Sequence, residues 1–402
     1  MRSMRFATLC LLAALASRGA VAADDGPVKL GVITDMSGVL SAVAGPAGVE
    51  AVKLAIEDFG ASVLGKPIEV VSADHQGKPD VASAIVRRWF DQEGVDVTMD
   101  YVSSAVGIAV LSVATEKNKI SLVTGAASSD FTSKLCTDKS FHWGYDTYQQ
   151  ASVVPPVVVK EGFDSWFFIT ADYAFGHALE RDTSKKVIEA GGKVVGGVRS
   201  PINTFDYSSF LLQGISSGAK AIGIAAAVDD LQRLVKQARE FNLITKDRMA
   251  VALPMVLVDV YGVGAAAMQG IRFSTVFYWD TDEKTRSFSK RFEARTGKPP
   301  SEVHSMNYSA SLHYLKAVKA VGSKDTAAVA KKMHELPVDD AVTTPAAKIR
   351  DDGRVMRAVY IGEVKSPAES KSPWDLYKNL KPVTGEQAFR PPAESECPLL
   401  KK

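Results

Sequence analysis

Residues 28–59, VKLGVITDMSGVLSAVAGPAGVEAVKLAIEDF, decide the fold. The stretch opens with an apolar run, residues 28–33, of the length and composition of a buried strand. A loop of Gly, Ser and Ala follows, and Pro46 restarts the chain in what reads as the first turn of a helix, where a missing N–H costs nothing. Val49, Val52, Ala55, Ile56 and Phe59 then recur at helical spacing. A strand feeds a small-residue loop, and the loop feeds a helix whose N-terminus points back at it. Free backbone N–H groups and the positive end of a helix dipole meet there, which suits a carboxylate or another polar ligand head. An ordinary βα turn has the same form, and this stretch alone leaves both readings open.

Outward from it, short apolar runs alternate with amphipathic stretches. Strands are expected at residues 68–73, 95–102, 120–123 and 141–145, with helices at 105–116 and after Asp80, which could cap the helix carrying Val81, Ile85, Val86, Trp89 and Phe90. The alternation begins again near Gln149. Pro155-Pro156 kinks or delays a helix. Strands follow at 166–170, 194–198, 219–227, 249–255 and 271–279, with helices between them, one starting at Asp229 or Asp230. This pattern argues parallel sheets covered on both faces, in two similar α/β units. After Asp280 the chain is mostly helical. Asp351-Asp352-Gly353 then marks a hairpin turn, and the tail from Ser366 is rich in Pro, Lys and Ser and is expected to wrap a surface.

The chain has 402 residues, 46% hydrophobic and 23% charged, an ordinary globular composition whose length suggests two domains. Arg2 and Arg5 precede an apolar run at residues 6–16, and Ala20-Val21-Ala22 offers a small-x-small cleavage site, so residues 1–22 read as a secretory signal. The run is too short to span a bilayer. Cys10 lacks the small flanking residues that lipid attachment needs. Loss of Arg2, Arg5 and Arg18 takes the formal charge from +2 to −1, which leaves nothing to favour nucleic acid. Export implies an oxidising compartment, where the two remaining cysteines, Cys136 and Cys397, most simply form one disulfide that ties down the tail.

Catalytic patterns are scarce. His75, His142, His177, His304, His313 and His334 form no metal-spaced cluster, and no metal or cofactor is expected. Gly214-Ile215-Ser216-Ser217-Gly218 matches G-x-S-x-G, but a helix precedes it and a strand follows, the reverse of a nucleophile elbow. There is no G-x-G-x-x-G after the first strand and no P-loop. What accumulates is small, hydroxyl-bearing and aromatic residues in the loops at strand C-termini, around Tyr101, Ser103, Ser104, Ala126, Ala127, Ser128, Tyr173, Phe175 and Ala227, with Tyr148 nearby. In open α/β sheets ligands bind outside those ends. Hydroxyls can donate to a carboxylate while aromatics cover an apolar body.

VKLGVITDMSG, the Ser103-Ser104 loop, Gly125-Ala126-Ala127-Ser128, ADYAFGHALERD and VKQAREF, in that order and behind a signal sequence, resemble the branched-chain-amino-acid-type periplasmic binding proteins, the type I fold solute receptors of ABC importers. GKPIEVVSADHQGKPDVASAIVRRWFDQEGVD and AESKSPWDLYKNL resemble a subgroup with aromatic-acid or unknown substrates. The resemblance covers essentially the whole chain after the signal. It implies two doubly wound parallel-sheet lobes joined by three hinge segments, with crossovers near Asp146, near Tyr278-Trp279 and at residues 342–347. Lobe one would be residues 28–145 with 280–341, lobe two 146–279 with 343–365, and 366–402 a tail.

The resemblance also implies site residues. Ser103 or Ser104, and Ala127 with Ser128, match the lobe-one positions that hold an amino acid's carboxylate and ammonium; Tyr173 or Phe175 matches the lobe-two ring that closes over the ligand. A second tyrosine of the family falls at Ala227 or Val228, and the acid that pairs with the ammonium falls at Met255. An ammonium buried without an anion is costly, so a small carboxylate with an apolar or aromatic body is expected in place of a free α-amino acid, unless Asp146 substitutes. The implied mechanism is closure of the lobes over the solute and transient docking of a periplasmic monomer on a membrane permease, with no reaction. Alternatives are an amino-acid receptor, a receptor reporting to a sensor kinase, or a secreted hydrolase.

Overall fold

The structure, a computed structural model, describes residues 26–400; the expected signal at residues 1–22 lies outside them. The opening stretch forms β1 (Val28–Thr34), buried on both faces, and α1 (Gly45–Phe59), with Pro46 in its first turn. Then come β2 (Ser62–Val63), β3 (Lys66–Asp74), α2 (Pro79–Asp91), β4 (Val97–Asp100), α3 (Ser104–Glu116), β5 (Ile120–Val123) and β6 (Ser140–His142). Their sheet has the order β2-β3-β1-β4-β5-β6, parallel except for the short β2. Asp80 lies in the first turn of α2, and Lys78 takes the cap position expected of it. Strand β4 ends at Asp100, short of Val102, because Asp100 and Tyr101 have φ of 82° and 56° and turn the chain out of the sheet.

The second alternation gives α4 (Thr147–Val153), α5 (Pro155–Lys160), β7 (Ser165–Ala171), α6 (Ala174–Glu189), β8 (Lys193–Ser200), α7 (Ser208–Ser216), β9 (Ala221–Ala225), α8 (Val228–Glu240), β10 (Met249–Leu253), α9 (Leu257–Val263), α10 (Ala265–Met268) and β11 (Arg272–Thr275). Strands β10-β9-β7-β8 form a parallel sheet. The two prolines split one helix into α4 and α5. Residues 214–218 close α7, where Ser217 Oγ donates to the Gly214 carbonyl at 2.6 Å.

The chain then returns to the first half. Helices α11 (Glu283–Thr296) and α12 (Glu302–Val321) pack on α1, and α13 (Thr326–Glu335) packs on α12. Strands β12 (Val338–Asp340), β13 (Thr343–Ile349) and β14 (Val355–Met356) make a small antiparallel sheet. The 343–365 hairpin was expected wholly in the second unit, and the structure corrects this. Strand β13 packs on α13, Arg354 at the start of β14 bridges His142 of β6, and the His142 amide donates to the Gly353 carbonyl at 2.9 Å. Only β15 (Val359–Val364) crosses over, to pair with β11. The third crossing therefore follows β14 instead of lying at residues 342–347. The tail does more than wrap a surface: β16 (Tyr377–Val383) pairs with β15, α14 (Gly385–Ala388) packs on α4, and Cys397 is disulfide-bonded to Cys136.

Candidate ligand cleft

The C-terminal ends of the two parallel sheets face each other across a cavity. Leu40 and Val43 follow β1, Val102 and Ser104 follow β4, and Gly125 and Ala127 follow β5; Tyr145 stands at the first crossing. From the other side come Tyr173 and Phe175 after β7, Ala227 and Val228 after β9, and Pro254, Val256 and Asp259 after β10. The enclosed space is about 30 Å³, on the order of two water molecules, so an organic ligand enters only if the walls part. Beside it Val43, Ala44, Val102 and Val303 of the first half meet Val228 and Val256 of the second in one apolar cluster.

Ser104 opens α3 and is buried; its Oγ accepts from the backbone N–H of Ala127 at 3.2 Å and of Ser128 at 3.1 Å. This ties the β4 and β5 loops together at a helix N-terminus, the end that favours negative charge. Gly125 is required there: a Cβ would stand 2.9 Å from Asp100 Oδ1 and from the Val102 Cα. On the opposite wall Asp259 is 1% exposed. Its Oδ2 accepts from the Val256 amide at 3.0 Å and its Oδ1 from Gln232 Nε2 at 3.4 Å. Burial pushes its pKa up to about 7, offset in part by these two donors. No Lys, Arg or His is among the lining residues. Burial also raises the phenols of Tyr145 and Tyr173, so both rings keep their protons. Tyr173 and Phe175 lie with ring centroids 5.7 Å apart.

Of the residues singled out from the sequence, Ser104, Ala127, Tyr173, Phe175 and Ala227 line this cavity. The others stand elsewhere. Tyr101 is fully buried under α3 with Val106, Val110 and Phe131; its hydroxyl donates to Thr98 at 2.7 Å and accepts from Ser121 at 3.0 Å. The expectation that it covers a ligand is corrected: the left-handed backbone at 100 and 101 turns the ring into the core. Ala126 joins that core beneath Gly107. Ser103 holds the cap position of α3, and Ser128 Oγ accepts from the Asp130 amide at 3.3 Å. Tyr148 lies outside the lining, with its ring 4.6 Å from Lys186 and from Arg390 and its hydroxyl on Glu394 at 3.0 Å. Met255 is 1% exposed, in the core of the second half.

Asp146 has partners of its own. It caps α4 by accepting from the Gln149 amide at 2.7 Å and pairs with Arg354 Nη1 at 2.9 Å, both side chains buried. Asp259 was not singled out. An acid three residues into a helix is a start signal when Ser or Thr precedes it; here Val256 does, so the sequence shows an apolar run with one acid in it.

A family model described as a periplasmic binding protein matches residues 27–371. The chain is similar to a periplasmic binding protein of known structure from Burkholderia mallei, 43% identical with a TM-score of 0.91, covering 93% of this chain and 99% of that one. It is similar to a branched chain amino acid ABC transporter periplasmic ligand-binding protein from Burkholderia xenovorans, 39% identical with a TM-score of 0.84, covering 93% and 100%. Leu/Ile/Val-binding protein homolog 6 of Brucella suis is 25% identical over 325 residues, which are 79% of this chain and 82% of that protein.

Proposed function

The chain belongs to the periplasmic binding protein family, and on that premise we propose that it is a periplasmic receptor that captures a small zwitterion, an α-amino acid with an apolar side chain, and delivers it to an ABC importer. One observation carries this reading: a buried carboxylate, Asp259, and a helix N-terminus, at Ser104, stand in opposite walls of a single apolar cleft. The ligand's carboxylate lies at the Ser104 hydroxyl and the N-terminus of α3. Its ammonium lies at Asp259, which supplies the anionic partner that Met255 lacks. Its side chain rests on Leu40, Val43, Val102 and Val228.

The lobes part to admit the solute and close on it, the closed form being favoured because both walls then bind. No bond is made or broken. The permease recognises the closed form, and the receptor works as a monomer.

A second reading, a carboxylate with an aromatic body and no amine, draws on the same aspartate. With its pKa pushed up to about 7, Asp259 can keep its proton and donate to such a ligand, whose ring would face Tyr173 and Phe175.

Calorimetry with leucine, glutamate, benzoate and 4-hydroxybenzoate, each at pH 5.5 and pH 8, separates the two by sign. An ammonium ligand needs ionised Asp259, so below pH 7 binding must expel a proton and affinity falls by up to about tenfold per pH unit as pH drops. A ligand that accepts from protonated Asp259 shows the opposite trend, losing affinity as pH rises above 7. We expect leucine to bind with the first trend. Benzoate binding with the second, and leucine not at all, would replace the first reading by the other.

A further inference from the structure

A second cavity lies at the far end of β10 from the cleft. The parallel sheet of the second half stops at β10; β11 passes beside it but pairs with β15 instead. The gap between the two strands holds about 290 Å³, against about 30 Å³ in the closed cleft. That is close to the lower end of ligand-pocket sizes, about 300 Å³. Its wall is mixed: half-buried Phe163, Ile244, Met249 and Ile271 line it beside the polar Glu161, Thr245 and Gln269, while Val154 and Val158 belong to the main core behind it.

Two guanidinium groups border the gap. Arg272 is paired with Glu161, also in the wall. Arg239 donates to the Ala267 carbonyl at 2.7 Å and, among the described residues, has no carboxylate within ion-pair distance. One positive charge, on an exposed side chain, is therefore left over beside the half-buried apolar residues, the pattern that suits a chain with one anionic end.

We propose that this gap is a second ligand site, for a monocarboxylate with an unbranched aliphatic chain, its chain on Phe163, Ile244 and Met249 and its carboxylate on Arg239. The site is separate from the cleft and does not depend on which solute the cleft takes.

Octanoate is the probe. Calorimetry should show one octanoate bound per chain, weakened about tenfold by Arg239→Ala, as loss of a charge-assisted hydrogen bond would do, and unchanged by Asp259→Asn. Crystals soaked in 8-bromooctanoate should show the bromine peak beside Phe163 and Met249. No heat with octanoate at millimolar concentration, an Arg239→Ala variant that binds as wild type, or a bromine peak confined to the cleft would each overturn the proposal. Ile244→Trp, which adds bulk at a half-buried position of the lining, should abolish octanoate binding; retention of full affinity by a folded Ile244→Trp protein would overturn it as well.

Discussion

At the scale of the residue, the cleft turns on which way a loop residue points, and that is set by backbone angle more than by residue type. Tyr101 and Tyr173 look alike in sequence, each an aromatic just past a strand. Tyr173 has φ of −155° and leads into α6 at the cavity wall, whereas Tyr101 has φ of 56° and is folded under α3. Nothing in the residue names separates them, so loops were legible and side-chain directions were not. Asp259 was hidden for a related reason, since a lone acid inside an apolar run gives no sign that its carboxylate is buried. If it pairs with an ammonium, Asp259→Asn removes one partner of a buried charge pair. Leucine affinity should then fall by about 2–5 kcal/mol, and its pH dependence around pH 7 should vanish. Unchanged leucine binding by calorimetry would remove Asp259 from the site.

At the scale of the element, alternating strands and helices were readable because each strand is an uninterrupted apolar run and each helix keeps its period. Strand ends were read too long where the chain leaves the sheet through polar or strained residues, as at Asp100. The hairpin was legible as a hairpin, but not where it docks. That depends on Arg354, fully buried 208 positions from its partner Asp146, with the Phe389 ring 4.2 Å from its guanidinium and the Gly144 carbonyl as a further acceptor. Burial lowers its pKa to about 10, still far above neutrality, so Arg354 is charged at pH 7, while burial pushes the Asp146 carboxyl above its ordinary range against the pull of Arg354. Arg354→Ala leaves Asp146 buried without its counter-charge, and urea unfolding should show a loss of about 3–5 kcal/mol. A variant within error of wild type would mean that the crossing is held by the backbone alone. Gly353 permits the contact: it has φ of 80°, and a Cβ there would stand 1.9 Å from the Ser140 carbonyl oxygen.

At the scale of the molecule, two sheets share one cavity with room for little more than water, and a valine-rich cluster drawn from both halves lies beside it; the largest apolar cluster also contains residues of both halves. Small-angle scattering should therefore show a smaller radius of gyration with bound ligand than without. Val256→Asp, which puts a charge into that seam, should shift the ligand-free protein to the wider form and weaken binding; identical scattering curves with and without a saturating ligand would count against closure. The chain path has a practical consequence. Both halves are assembled from separate pieces of chain, yet the second half's whole share of the wall, Tyr173 through Asp259, falls between the first crossing and the second. Selectivity on that side is thus carried by a single cassette. Grafting residues 147–275 of a relative into this chain would make a chimaera that inherits half of the donor's ligand preference while keeping its own framework.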